Sequence, residues 1–140
     1  MDMKLEVVPV PVSDIGRAKD FYEKLGWRLD ADFRPGPDVR LMQFTPPGSA
    51  ASIQFGTGVS PLAPGSQQGL FLAVSDIEAA RADIAKRGVD VSEIFHKVPG
   101  SKAEPGPDPE RTSYASFATF KDPDGNGWLL QEIRQRLPGR

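Results

Sequence analysis

Histidine and cysteine, which often carry acid–base or metal chemistry, are nearly absent from this sequence of 140 residues. His96 is the one histidine, and histidine is the usual general base because it titrates near neutral pH. No second residue at a diagnostic spacing forms a dyad with it, so a loop histidine that hydrogen-bonds locally is the alternative. Glu132, Glu93 and Gln54 are the other candidate active-site groups. The absence of cysteine excludes disulfides, thiolate metal sites and a cysteine nucleophile.

Composition and charge narrow the class of protein. Hydrophobic residues at 39% and charged residues at 26% are typical of one soluble globular domain. A net charge of −2 and a pI near 5.4 argue against binding to a phosphate backbone, so we expect no nucleic-acid partner. The N-terminal residues contain neither the apolar core of a signal peptide nor a membrane span, so we expect a cytoplasmic location and no membrane partner.

An internal repeat reveals the elements that must position these side chains. The tetrapeptide Val-Ser-Asp-Ile occurs at residues 12–15 and again at residues 74–77, an offset of 62 residues (74 − 12). The same offset aligns three further pairs of identical residues: Ala18 with Ala80, Lys24 with Lys86 and Gly26 with Gly88. One register without gaps contains all the matches, which indicates a duplicated module.

Each copy reads as a strand, a helix and three further strands. In both, Ser-Asp supplies the helix N-cap and a glycine follows the last helical turn. In the first copy we predict a helix from residue 13 or 14 to 25, and strands at 5–12, 27–32, 39–45 and 52–55. In the second we predict a helix over 76–87 and strands at 70–74, 89–95, 114–120 and 127–133. Residues 97–112 form a long polar loop, which we expect to act as a lid.

Two tandem βαβββ modules, with VSDIGRAKDFYEKLGW in the first and FKDPDGNGWLLQEI closing the second, resemble the vicinal oxygen chelate superfamily. Its members include glyoxalases, extradiol dioxygenases and bleomycin-resistance proteins. The resemblance implies an α+β fold with a curved, barrel-like mixed sheet and the helices outside. It also implies a single domain over residues 1–140, with modules at about 4–56 and about 69–135, and a homodimer.

The resemblance also locates the metal ligands of related enzymes, which stand on the first and last strands of each module. The corresponding positions here are Val7, Gln54, Gly69 and Leu129. Valine and leucine have no donor atom, glycine has no side chain, and Gln54 is a neutral amide. We therefore predict that the usual metal site is absent and that the protein has no cofactor.

Without ligands, the concave sheet face still provides a pocket. The residues expected to line it are Gln54 and the aromatic residues Trp27, Phe44, Tyr114, Phe117 and Trp128. The alternative for each aromatic side chain is ordinary core packing. Strand alternation divides residues 114–120 into two faces, and the sequence does not decide which face lines the cavity.

Two functions remain open. The first is a metal-free protein that binds a small apolar or aromatic molecule, as the drug-binding branch of the superfamily does. The second is a glyoxalase-like lyase, isomerase or dioxygenase with a displaced metal or none. In that case His96 and Glu132 are the candidate catalytic residues.

Overall fold

The computed structural model describes all 140 residues, which form two helices and nine strands in two mixed sheets, with no closed barrel. The chain divides into two compact units. The first contains residues 1–68 and 122–126, and the second contains residues 69–121 and 127–140. Each unit contains one helix and one sheet, which confirms the predicted α+β fold of two βαβββ modules. Neither helix is long and apolar enough to cross a membrane.

The first unit contains β1 (Val7–Pro9), α1 (Ile15–Lys24), β2 (Arg28–Gly36), β3 (Val39–Thr45) and β4 (Ser52–Gly56). The strand order is β1-β4-β3-β2, with β1 parallel to β4 and the other pairs antiparallel. Strand β1 is shorter than predicted and lies at the edge of the sheet, where a proline costs no ladder hydrogen bond. Strand β2 is longer than predicted and continues through Pro35 to Gly36.

Helix α1 begins and ends as the sequence predicts. The Asp14 side chain caps it by accepting a hydrogen bond from the Arg17 amide at 3.0 Å. Gly26 has a φ of +79°, the left-handed conformation that commonly ends a helix. The helix buries Tyr22 against the sheet, where its ring lies 6.0 Å from that of Phe44.

The second unit contains β5 (Leu70–Val74), α2 (Ile77–Lys86), β6 (Phe95–His96), β7 (Glu104–Pro105), β8 (Ser116–Lys121) and β9 (Gly127–Glu132). The strand order is β5-β9-β8-β6-β7, with β5 parallel to β9. Asp76 caps α2 by accepting hydrogen bonds from the amides of Glu78 and Ala79, both at 3.1 Å. The cap is equivalent to that of α1, as the repeat predicts.

The predicted strand over residues 89–95 is largely wrong. Only Phe95 and His96 form β6, and Val91 makes an isolated bridge to β8. The cause is side-chain competition for the backbone. Arg81 donates to the carbonyls of Val91 and Ser92, at 3.4 and 2.9 Å. The Ser92 hydroxyl in turn accepts the Thr119 amide at 2.9 Å. His96 therefore lies within the strand instead of after it.

The segment over residues 97–112 is bound along the edge of the second sheet. It contains β7, which pairs with β6. The Gly106 amide donates to the Ile94 carbonyl at 2.9 Å, and the Asp108 amide donates to the Ser116 hydroxyl at 2.9 Å. These hydrogen bonds hold the segment against the sheet and argue against the expected role as a movable lid.

Candidate ligand-binding faces

Each sheet has one face packed against its own helix and one face without a helix, which we call its helix-free face. On the first sheet, Met42, Phe44 and Phe55 point toward α1 and are fully buried. Strand alternation places Leu41, Gln43 and Thr45 on the opposite side. On the second sheet, Ala118, Phe120, Trp128 and Leu130 are buried on the side of α2. We take the two helix-free faces as the candidate ligand-binding faces.

The helix-free face of the first sheet is polar. Thr45 donates a hydrogen bond to Asp30, and the Thr45 and Ser52 hydroxyls lie 2.7 Å apart. One row further along the strands, Gln54 Nε2 donates to Gln43 Oε1 at 2.9 Å. These two hydrogen-bonded groups lie on neighbouring rows of one face, and together we call them the polar array: Asp30, Gln43, Thr45, Ser52 and Gln54.

Asp30 is the charged member of the polar array. Burial raises its pKa, but hydrogen bonds from Thr45, Arg28 and Gln43 together outweigh burial and hold the pKa below its ordinary value. The Arg28 guanidinium lies 2.5 Å from Asp30 Oδ1 and is itself 72% exposed. Asp30 is consequently a carboxylate at neutral pH.

The helix-free face of the second sheet is aromatic. Phe95 and Phe117 stack with ring centroids 5.6 Å apart. Leu129 is paired with Phe71 on one side and with Thr119 on the other. The Phe71 side chain is 57% exposed. Alternation therefore resolves the two faces of residues 114–120, since Phe117 and Thr119 face away from α2 whereas Ser116, Ala118 and Phe120 are buried.

The residues at the four expected metal-ligand positions do not fit a metal. Val7 is paired with Ser52, Gln54 bonds to Gln43, and Leu129 belongs to the aromatic face. Gly69 has a φ of +73° directly before β5. No group of three or more His, Cys, Asp or Glu side chains is arranged to hold a metal ion.

Three aromatic residues predicted to line a pocket lie in the cores. Phe44 stacks on Phe55 at 5.9 Å, and Trp27 lies 5.2 Å from Tyr22. Trp128 is likewise buried. Phe44 and Trp128 point toward the helices from β3 and β9, and Trp27, directly before β2, packs against Tyr22 of α1. The structure therefore places Phe117, but not these three, on a helix-free face.

Tyr114, the remaining aromatic residue of the predicted pocket, anchors the C-terminal segment. Its hydroxyl accepts a hydrogen bond from the Leu137 amide at 3.0 Å. Its backbone has a φ of +73°, and its amide donates to the Glu132 carbonyl at 2.8 Å. Phe95 was missing from the aromatic residues considered for the pocket, because only the pairing of β6 with β8 places it on this face.

Both candidate catalytic residues have structural partners. His96 Nδ1 bonds to the Gly106 carbonyl at 2.8 Å. Glu132 is fully buried and accepts two hydrogen bonds from Arg111, at 3.0 and 2.6 Å, and one from the Ile77 amide at 2.8 Å. The Arg111 hydrogen bonds lower the pKa of Glu132. Glu132 thus joins the start of α2 to the sheet, and a carboxylate held in this way is a poor proton acceptor.

Other polar groups on the helix side of the second sheet also have partners within the chain. Ser116, which is paired with His96, is fully buried and accepts the Asp108 amide. Glu93 is 93% exposed and lies 3.3 Å from Arg81. A groove of about 450 Å³ runs along this side, with Arg81 and Gly106 among its lining residues. None of the predicted pocket aromatics lines the groove.

Comparison with known proteins assigns the class. The chain belongs to the Glyoxalase/Bleomycin resistance protein/Dioxygenase superfamily, whose family model matches residues 4–130, and the predicted superfamily is thereby confirmed. Among curated proteins it is similar to the uncharacterized protein YetH of Bacillus subtilis (strain 168). The two are 27% identical over 133 residues, which cover 94% of this chain and 100% of that protein.

Two solved structures from Streptomyces sp. CB03234 are more similar in sequence. TnmS3, an antibiotic binding protein, is 35% identical, with a TM-score of 0.71 and coverage of 94% of this chain and 97% of that one. A glyoxalase/bleomycin resistance protein is 36% identical, with a TM-score of 0.68 and coverage of 92% and 100%.

Proposed function

We propose that this protein binds a small apolar or aromatic molecule on a sheet face without using a metal. The aromatic face of the second sheet is the observation that carries the proposal. Phe71 is 57% exposed there, next to Leu129, and Phe95 and Phe117 stack on the same face. Large apolar side chains that remain accessible on a sheet face cost free energy in water and favour a ligand that covers them.

Two further observations support binding over metal-dependent catalysis. The positions that would hold a metal carry Val7, Gln54, Gly69 and Leu129, which do not form a ligand set. TnmS3, described as an antibiotic binding protein, is 35% identical over nearly the whole chain. We also propose a homodimer, as the resemblance implies, which sedimentation equilibrium tests directly.

Titration with N-phenylnaphthylamine, a neutral aromatic probe that fluoresces in apolar sites, tests the binding function. Burying an exposed aromatic side chain against a ligand contributes about 1–2 kcal/mol, so Phe71→Ser should weaken binding about fivefold or more. Leu62→Ser removes another exposed apolar side chain, which belongs to the first unit, and should leave the affinity unchanged. No binding to the wild type, or equal binding to Phe71→Ser, would contradict the proposal.

Metal analysis of protein purified without chelator separates the two classes of function. We expect no stoichiometric divalent ion. One tightly held ion per chain would instead support a glyoxalase-like enzyme with a displaced metal site.

A further inference from the structure

We propose that the polar array on the first sheet is a subsite for a protonated amine, carried by a ligand whose apolar part rests beside it. This inference rests on the proposed function, because it assumes a ligand that binds on a sheet face. It adds the chemical class of the polar group and names the residues that select it.

The direction of the hydrogen bonds follows from Asp30. An ionised carboxylate only accepts, so the Thr45 hydroxyl must donate its single proton to Asp30. The 2.7 Å contact between Thr45 and Ser52 then requires Ser52 to be the donor. The hydroxyl chain therefore runs from Ser52 through Thr45 to the carboxylate.

The two amides occupy the next row along the strands. Gln43 is paired with Ala31, directly after Asp30, and contributes to lowering the pKa of that carboxyl group. Gln43 Oε1 accepts a hydrogen bond from Gln54 Nε2 at 2.9 Å, whereas Gln54 Oε1 accepts none within the chain. A carboxylate and an open carbonyl oxygen therefore lie on the same sheet face.

The solvent exposure of each side chain determines which members of the polar array a ligand can contact. Thr45 is 3% and Ser52 is 8% exposed, so the hydroxyl chain is an internal support. Gln43 and Gln54 are half-buried, and the Asp30 side chain is 18% exposed. A ligand can therefore contact the Gln54 carbonyl oxygen. That oxygen is a stronger acceptor because the Gln54 amide nitrogen donates to Gln43, and the Asp30 carboxylate lies on the same face.

The negative charge of Asp30 determines which polar group of a ligand is favoured at this subsite. An ammonium donates to the Gln54 carbonyl and is attracted by Asp30, whereas a carboxylate or phosphate placed there is repelled by Asp30. Arg28 competes for Asp30, but its guanidinium is 72% exposed, and such pairs are weak because water screens them.

The same face supplies a place for the apolar part of the ligand. Leu41 is paired with Phe33, and the two lie one row beyond the amides. Alternate residues of a strand are separated by about 7 Å. Phe33 is 59% exposed. A short arylalkylamine therefore matches this spacing.

Calorimetric titration with naphthylethylamine, naphthylethanol and naphthylacetate tests this subsite. The wild type should bind the amine about tenfold more tightly than the carboxylate, with the alcohol between them, because Asp30 attracts the ammonium and repels the carboxylate. Asp30→Asn should bring the affinities for the amine and the carboxylate to within about twofold of each other, because it removes that charge.

Two further variants make the test specific. Asp32→Asn is the matched control, because Asp32 lies on the same strand but is paired with Met42 and bonds to Arg40 at 2.9 Å. It should retain the wild-type order. Arg28→Ala should tighten amine binding, because it removes the competing cation, and general disruption of the fold would not produce that gain.

The outcomes also separate this inference from the proposed function. Equal affinities for the three probes, or an equal loss in Asp30→Asn and Asp32→Asn, would overturn the amine subsite. Binding of N-phenylnaphthylamine would in that case still stand. Failure of every probe to bind would overturn both.

Discussion

The helix-free faces of the two sheets differ, although both sheets bury an apolar core against their own helix. In the first unit, that core lies around Tyr22 and Phe44, and the helix-free face is polar. In the second unit, the helix side contains the buried Glu132–Arg111 ion pair beside an apolar core, and the helix-free face is aromatic. A duplicated scaffold thus carries two chemically different faces.

The difference shows what duplication preserved. Both helices begin at an aspartate cap, Asp14 and Asp76, and both are followed by a left-handed glycine, Gly26 and Gly88. These groups satisfy the helix ends and do not depend on which side chains the strands carry. The strand faces were free to diverge, because each needed only one side compatible with its own helix.

Loss of the buried ion pair should have the largest effect. Arg111→Ala leaves Glu132, which is 0% exposed, with the Ile77 amide at 2.8 Å and the more distant Arg134 guanidinium at 3.6 Å. Removing one partner of a buried pair costs about 3 kcal/mol or more. Urea unfolding measures the change. Lys19→Ala, which breaks a surface pair with Glu23, is the control and should cost less than about 0.5 kcal/mol. Equal costs for the two variants would remove the contrast between the units.

Tyr22→Phe tests the first core and should have an intermediate effect. The Tyr22 hydroxyl donates to Asp122 Oδ2 at 2.9 Å in a buried setting. A buried hydrogen bond to a charged group contributes about 1.5–3 kcal/mol, and we expect a loss in that range. Tyr114→Phe removes an exposed hydroxyl contact to Leu137 and should cost less than about 0.5 kcal/mol. If the two variants unfold at the same urea concentration, the first core does not depend on this bond.

The smallest expected effect is a change in how the unfolding free energy depends on pH. Hydrogen bonds from Arg111 lower the pKa of Glu132 in the folded state below its ordinary value. The stabilisation is therefore complete above the unfolded pKa and is lost as the pH falls through the lowered folded pKa. The unfolding free energy measured at decreasing pH should fall less steeply in Glu132→Gln. In Arg111→Ala, the part of the loss due to Glu132 should move to higher pH. An unchanged profile in both variants would show that the pair does not contribute.

Local signals predicted most of the fold. Strand β5 and the caps of both helices lie where alternation, Asp and Gly place them. The strand over residues 89–95 failed because Arg81 and Ser92 occupy backbone groups that a ladder would use. Such competition depends on residues that meet only in the folded chain. Strand β7 was missed for a similar reason, because its pairing with β6 closes across a polar, proline-rich segment.

The candidate site was less predictable than the fold. Gln54 was expected on a sheet face, and the structure places it at the end of the polar array. Asp30 carries the charge of that array. In the sequence, however, it follows a surface arginine closely and cannot be distinguished from any exposed aspartate of a strand. Phe71 and Phe95 belong to one face only through the pairing of four strands.

The sequence by itself determined the duplicated scaffold, the superfamily and the unsuitability of Val7, Gly69 and Leu129 as metal ligands, because these follow from residue types at set positions. The tertiary structure alone decided which face of each strand points away from its helix. It therefore also decided that one sheet presents Asp30, Gln43 and Gln54 while the other presents aromatic rings. Strand alternation defines two faces, but only packing against a helix determines which of them is buried.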